Sequence, residues 1–311
     1  MQSSLVSRCF LLSLSCLLGL TACTSGAKSA GSASAGAPVI GVSIQNREAQ
    51  FYQDMEAGMK REAKKYGYIV NVVDASRDNA KQQSQVEDFL SQNVAAIVIT
   101  PYDSQAIGSA IVEANAAHVP VFTADIASAS KQGSVVAHIA SDNVQGGGAA
   151  AQLICRAAAG APGQVAILDE PEVTSVQDRV RGFTQTLKQL CPQVKIVADI
   201  DGGGERAKSS AAAEDILQSH PHLTAIFGIN DDAALGAAKA VQASNHTAKI
   251  AIVGYDADAE ARAAIAQGAM YGDAIQHPEL IGIKTIDAIH AYLQKQPVPA
   301  KIAVPVGTFT R

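Results

Sequence analysis

Tryptophan is absent from this 311-residue chain, and all aromatic residues together reach only 5 %. Apolar residues still make up 48 %, so Ala, Val, Ile and Leu must fill the interior. Cores of such residues suit parallel sheets covered by helices on both faces. Blocks of like charge are missing too. The net charge is −5 with no basic patch, which argues against nucleic acid as a partner. No G-x-x-x-x-G-K-[ST] phosphate loop occurs, and Gly146-Gly147-Gly148 reads as a site of close helix packing rather than an anion cradle. The seven His show no metal spacing, and His220-Pro-His222 falls in a helix-to-strand turn. Asp256-x-Asp258-x-Glu260 is similar to the opening of a calcium loop but lacks the later Gly and Glu. No Ser-His-Asp or Cys-His arrangement can be assembled, so no catalytic residue, metal or cofactor is assigned and an enzyme is the least favoured class.

What is present begins at the N-terminus. Arg8 is the only charge before the apolar run from Phe10 to Leu20. That run is too short for a mature transmembrane helix and reads as the core of a signal peptide, residues 1–22. Leu20-Thr21-Ala22-Cys23 resembles the bacterial lipobox, which marks Cys23 for acylation. The alternative is ordinary cleavage near Ala22 with Cys23 an unmodified thiol. Thr24 to Ala37 holds only Thr, Ser, Gly, Ala and one Lys. Such a stretch cannot bury a core and fits a flexible tether over 23–38. An exported protein bound to the membrane through a lipid alone is therefore expected, periplasmic or at the cell surface. Cys9 and Cys16 leave with the signal. Cys155 and Cys191 remain as a disulfide pair or as two separate buried thiols.

From Val39 onward, apolar runs alternate with amphipathic stretches. Val39-Ile44 is a strand pattern, and Phe51 to Tyr66 carries Met55, Met59 and Ala63 on one helical stripe, closed by Gly67. The rhythm continues through Ala95-Thr100 and Val119-Ala124, then repeats from Gln164 to Tyr255. Local matches support two copies of one unit. Ala96-Ile97-Val98-Ile99-Thr100 parallels Ala225-Ile226-Phe227-Gly228-Ile229-Asn230, and Val119 to Asp125 parallels Ile250 to Asp256. Two Rossmann-like α/β domains with parallel sheets flanked by helices follow. Ligands in such sheets sit beyond the carboxyl ends of the strands. The polar residues there are Ser43, Asn46, Thr100 and Asp125 in the first half, and Asn230 and Asp256 in the second. Facing carboxylates accept hydrogen bonds from paired hydroxyls, as carbohydrate recognition requires. Each Asp taken singly could equally be a helix N-cap or a turn residue.

Five segments carry a family resemblance. They are His138-Ile-Ala-Ser-Asp-Asn-Val-Gln-Gly-Gly147, Arg179-x-x-Gly182-Phe183, Asn230-Asp231-x-Ala-Ala-Leu-Gly236, Val253-Gly-Tyr-Asp256 and Ala274-Ile-Gln276. Over nearly all of Val39 to Arg311 the chain resembles the ribose-type periplasmic sugar-binding proteins of ABC transporters, the type I periplasmic binding protein fold. The resemblance implies that Phe51 and Tyr52 stack on the faces of a sugar ring. It also implies that Asp125, Arg179, Asn230, Asp256 and Gln276 bind hydroxyls. It implies a three-segment hinge near Ser141-Asp142, Gln276-His277 and Val304. One domain would then hold 39–141 plus 277–304, the other 142–276 plus 305–311. A monomer that delivers a small sugar or polyol to an ABC transporter permease is expected; a sugar or autoinducer receptor feeding a chemoreceptor or sensor kinase is the alternative. The chain departs from the ribose pattern. Ile126 stands where an Arg follows the first-domain Asp, no aromatic lies near Ile200, Thr100 replaces an Asn, and the loop between Ser43 and Phe51 is two residues longer. A different pentose, a ketose, a deoxy sugar or a linear polyol fits as well.

Overall fold

The computed structural model describes residues 36–244 and 249–311. The leader in 1–22 and the acylation site Cys23 lie outside the described residues. The described elements run β1 (Val39–Ile44), α1 (Gln50–Lys65), β2 (Ile69–Asp74), α2 (Asn79–Ser91), β3 (Ala96–Ile99), α3 (Gly108–Ala116), β4 (Val121–Ala124) and β5 (Ala137–Ser141). Then come α4 (Asn143–Ala158), β6 (Gly163–Asp169), α5 (Thr174–Leu190), β7 (Val194–Asp201), α6 (Arg206–Ser219), β8 (Ala225–Gly228), α7 (Asp231–Ala243) and β9 (Ala251–Asp256). The chain closes with α8 (Ala259–Gln267), β10 (Gly272–Ile275), α9 (Pro278–Leu293), β11 (Lys301–Val304) and β12 (Gly307–Thr310).

These strands form two sheets, ordered β11-β5-β4-β3-β1-β2 and β12-β10-β9-β8-β6-β7. The first is parallel throughout. The second is parallel except for β12, which runs against β10. Central strands such as β3 (Ala-Ile-Val-Ile) are buried along their whole length, because helices cover both faces and leave no polar side to alternate with. Each sheet therefore carries two apolar layers. Ile40, Val42, Met55 and Met59 pack on one face of the first, and Ile97, Ile99, Phe89 and Ile111 on the other. Val165, Ile167, Phe183 and Phe227 lie on one face of the second, Leu168, Ile226, Ile252 and Ile265 on the other.

The chain passes between the sheets three times. After β5, Asp142 caps α4 by accepting from the Gln145 N–H at 3.0 Å, and its own N–H donates to Val304 O at 3.1 Å. After β10, Gln276 and His277 lead into Pro278 at the first turn of α9, where a missing N–H does no harm. After β11, Pro305 and Val306 lead to β12. The first and third crossings are thus hydrogen-bonded to each other.

Helices α4 and α5 approach closely. A Cβ at Gly147 would collide with the carbonyl of Arg179, and one at Gly182 with the carbonyl of Val144. This is the packing that the glycine run at 146–148 permits, and it fixes the height of Arg179 against the second sheet. Cys155 on α4 and Cys191 at the end of α5 are disulfide-bonded, with Cα atoms 5.7 Å apart.

Two stability predictions follow from this helix pair. Gly147→Ala should lower stability by about 1–3 kcal/mol through overpacking, read as a fall in the thermal midpoint. The double substitution Cys155→Ser, Cys191→Ser removes a cross-link worth about 4 kcal/mol in the chain-entropy account. It should lower the midpoint in the absence of reductant, and dithiothreitol should bring the wild type toward the same value.

Candidate functional site

The carboxyl ends of the two sheets face one another across a narrow cleft with a cavity volume of about 30 Å³. The loop after β1 supplies Gln45, Asn46 and Ala49; the start of α1 adds Phe51 and Tyr52; the loop after β2 adds Arg77; the end of β4 adds Asp125 and Ile126. Opposite stand Glu170 past β6, Val173, Ser175, Val176 and Arg179 at the start of α5, Asn230 past β8, Asp256 at the end of β9, and Gln276 past β10.

Nine residues singled out in the sequence line this cleft: Asn46, Phe51, Tyr52, Asp125, Ile126, Arg179, Asn230, Asp256 and Gln276. Ser43 and Thr100 are not among its lining residues. Ser43 Oγ donates to Gln85 Oε1 at 2.7 Å and accepts from Gln82 Nε2 at 3.2 Å. The Thr100 carbonyl accepts from the same Gln82 amide at 3.0 Å. Both lie in the polar seam between the first sheet and α2, behind the cleft wall. Gln45, Ala49, Arg77, Glu170, Val173, Ser175 and Val176 also line the cleft and were not anticipated. The strand-end rule that selected Asp125 would have found Arg77 and Glu170, had it been applied past β2 and β6.

Local bonds set each side chain. Asn46 Oδ1 accepts from the N–H groups of Glu48 and Ala49, both at 3.1 Å, an Asx turn that shapes the loop leading to Phe51. Phe51 and Tyr52 meet edge to face, ring centres 5.3 Å apart. The Tyr52 hydroxyl lies 2.8 Å from Gln45 Oε1 and 3.3 Å from Asp125 Oδ2. Arg179 donates from Nε to Asn143 Oδ1 and from Nη1 to the Ile229 carbonyl, each at 2.9 Å. Its guanidinium lies over the Tyr255 ring at 4.0 Å, a cation–π contact. Asn230 caps α7 through the Ala233 N–H at 2.8 Å and donates to the Gly204 carbonyl at 3.0 Å. Asp256 Oδ1 accepts from Gln276 Nε2 at 2.6 Å. The N-cap role thus falls to Asn230 and, for α8, to Asp258; Asp125 and Asp256 are left for the cleft.

Three carboxylates and two guanidiniums share this space. Burial pushes the Asp125 carboxyl up to about 6, opposed by Arg179 and the Tyr52 hydroxyl. Burial likewise lifts Glu170 to about 7 against Arg77, and Asp256 to about 7 against Arg179. Three buried polar atoms of the lining have no protein partner: Asp125 Oδ1, Gln276 Oε1 and Arg77 Nε. Two acceptors and one donor inside a shielded cleft suit a ligand that offers both hydrogen-bond roles from one atom type, which is what a hydroxyl does. Among the described residues no group of three His, Cys, Asp or Glu could hold a metal ion.

A family model for the periplasmic binding protein domain matches residues 40–297. The chain belongs to this family. It is therefore a binding protein of a non-catalytic transport class. The ribose import binding protein RbsB of Bacillus subtilis is 36 % identical over 273 residues, spanning 88 % of this chain and 87 % of that protein. The D-allose-binding periplasmic protein of Escherichia coli is 31 % identical over 75 % of this chain and 77 % of its own. Among solved structures, an Actinobacillus succinogenes solute-binding protein with bound D-allose superposes with a TM-score of 0.81 at 26 % identity, covering 88 % of this chain and 97 % of that one. The Caulobacter myo-inositol-binding protein with myo-inositol bound gives 0.80 at 28 %, covering 88 % and 93 %.

The raised carboxyls set a pH dependence. A carboxyl whose folded-state pKa exceeds its unfolded one holds its proton longer when folded, so stability falls as pH rises from the unfolded value toward the folded value. For Asp256 that window runs from about 4 to about 7. His138, lowered to about 4 chiefly by burial, acts in the opposite sense below its ordinary value. The comparison with Asp256→Asn isolates the aspartate. Without ligand, the wild type should lose more thermal midpoint between pH 5 and pH 8 than the variant does. Parallel melting curves against pH would contradict the assignment.

Proposed function

We propose that this protein is the solute-binding component of an ABC importer and closes its two α/β domains around a small sugar or polyol. The observation that carries the reading is the pair Asp125, buried, and Asp256, half-buried, at equivalent strand ends of opposite sheets, with unpartnered buried acceptors at Asp125 Oδ1 and Gln276 Oε1. Phe51 and Tyr52 supply ring faces for the C–H side of the ligand, and Arg179 a fixed donor for its oxygens. Similarity to ribose, allose and inositol binders supports the same class.

The finer parts of the reading are ours as well. Asn46, Phe51, Tyr52, Asp125, Ile126, Arg179, Asn230, Asp256 and Gln276 contact the ligand. The domains are 39–141 with 277–304 and 142–276 with 305–311, hinged at Ser141-Asp142, Gln276-His277 and Val304. A ligand that touches both halves favours the closed form by its differential contacts, and the closed form is what the permease engages. Cys23 carries the lipid that anchors the exported protein to a membrane, in the periplasm or at the cell surface. Ile126 is buried beside Val173 and Val176. It replaces a hydrogen-bonding wall by an apolar one, which favours a ligand with a C–H, methylene or methyl edge there over ribose itself.

Isothermal titration with D-ribose, D-allose, D-arabinose, D-fucose and myo-inositol tests this. At least one should bind with a dissociation constant in the micromolar range or below, and Asp125→Asn should weaken it about tenfold or more, as loss of a charged acceptor does. No heat and no thermal shift with any of the five would overturn the reading.

A further inference from the structure

One charged pair in the cleft exists only because the two domains meet. Arg77 comes from the loop after β2 of the first sheet, Glu170 from the end of β6 in the second. Arg77 Nη1 lies 3.3 Å from Glu170 Oε1 and 2.8 Å from the Gly203 carbonyl. Gln45 Nε2, also from the first sheet's side, donates to the same Oε1 at 2.9 Å. Only 7 % of the Glu170 side chain and 15 % of the Arg77 side chain are exposed.

The geometry leaves one atom on each partner for something else. Both bonds across the cleft end on Oε1, so Oε2 is the remaining acceptor of Glu170. Arg77 Nε is buried with no protein partner. A buried guanidinium N–H without an acceptor is costly, so a structure that keeps one aims it at a ligand. Gly204 matters here as well. Its φ is +59°, and an added Cβ would stand 2.6 Å from Glu170 Oε2 and 3.0 Å from Asn230 Nδ2. A side chain at that position would displace Oε2, so glycine keeps that oxygen in place.

Resting on the sugar or polyol reading above, we propose that Arg77 and Glu170 form a third hydrogen-bonding wall of the cleft, assembled on closure, that selects ligands carrying a hydroxyl at that position. The hydroxyl oxygen accepts from Arg77 Nε–H, and its O–H donates to Glu170 Oε2. Together with Asp125 and Asp256 the pair surrounds the ligand with carboxylates on three sides, while Ile126 closes the apolar side. The ligand class is thereby narrowed to a neutral ring or chain with hydroxyls on three edges and one less polar edge. A ligand lacking the hydroxyl at the Arg77–Glu170 wall leaves both atoms unpaired, and a mismatch of that kind discriminates strongly.

The test uses the full mature protein, D-ribose, D-allose, D-arabinose and myo-inositol, and monodeoxy analogues of whichever of these binds. In Glu170→Gln, which keeps side-chain size, the dissociation constant of the parent compound should rise about tenfold or more. Discrimination against one particular deoxy analogue should collapse toward unity, while the other analogues keep their rank. Arg77→Lys, which keeps charge but removes Nε, should erase discrimination against the same analogue. Melting curves check that both variants fold. An equal loss for the parent and every analogue would show a pure interdomain latch and overturn the proposal, as would a Glu170→Gln protein binding like wild type. If none of the four probes binds wild-type protein, the proposed selection has no ligand and is overturned; the sugar reading itself fails only if D-fucose is silent as well.

Discussion

The site depends on a guanidinium held out of water. Arg179 is 4 % exposed, and a charge so placed is tolerated only when its donors are used and opposite charge stands near. Asn143, the Ile229 carbonyl and the Tyr255 ring provide the first condition. Asp125 and Asp256 provide the second, each held below where burial alone would put it. The scaffold is arranged to deliver this. Close approach of α4 to α5 at Gly147 sets the helix that carries Arg179, and the Cys155–Cys191 bond ties the far ends of the same two helices. Tyr255, under the guanidinium, also donates to Asn143 Oδ1 at 3.1 Å, so strand β9, helix α4 and helix α5 converge on one cation.

That cation belongs to the second sheet, whereas Asp125 belongs to the first. Attraction between them therefore acts across the cleft and favours approach of the domains. Further contacts on one flank share the task. Thr174 Oγ1 lies 3.1 Å from the Ala127 N–H and 3.1 Å from its carbonyl, and the Thr174 N–H donates to Ser104 Oγ at 3.1 Å. Ile126, from the first sheet, packs in the apolar cluster of the second. The protein's own contacts thus supply part of the closing free energy. A ligand need contribute only the difference between its contacts in the closed and open forms.

Much of this architecture was legible in the sequence, and the reasons for success and failure are physical. Strand and helix periods were strong because both faces of each sheet are buried, so apolar runs such as Ala96–Ile99 stand out sharply. The duplicated Asp125 and Asp256 were visible because strand ends define the mouth of such a sheet. Ser43 and Thr100 share the carboxyl side of the first sheet but do not line the cleft. Ser43 turns its side chain to Gln82 and Gln85, and the Thr100 carbonyl also accepts from Gln82; both glutamines sit on α2, far along the chain from Ser43, so no local pattern shows the contact. Arg77 and Glu170 were passed over because each looks like an ordinary surface charge until the opposite domain is in place. No local pattern encodes a pair separated by 93 positions.

Among the described residues, three of the nine non-glycine residues with positive φ line the cleft. Arg77, Asp125 and Asp256 have φ of +57°, +64° and +135°, values that non-glycine residues rarely adopt. Asp125 directly follows β4, Asp256 ends β9 and Arg77 lies three residues past β2, positions where glycine would relieve the strain at once. Glycine would also remove the guanidinium or carboxylate that faces the cleft. Strain of about 1–3 kcal/mol per residue persists only where the surroundings over-determine it. Here the surroundings are the parallel sheets: Asp125 N–H donates to the Ile139 carbonyl at 2.8 Å, and Gln276 N–H to the Asp256 carbonyl at 3.1 Å. The neighbouring strand in each domain therefore pins the backbone while the side chain turns into the cleft. Asp125 from the first sheet and Asp256 from the second therefore both line the cleft from equivalent strand ends, each pinned by its own neighbouring strand.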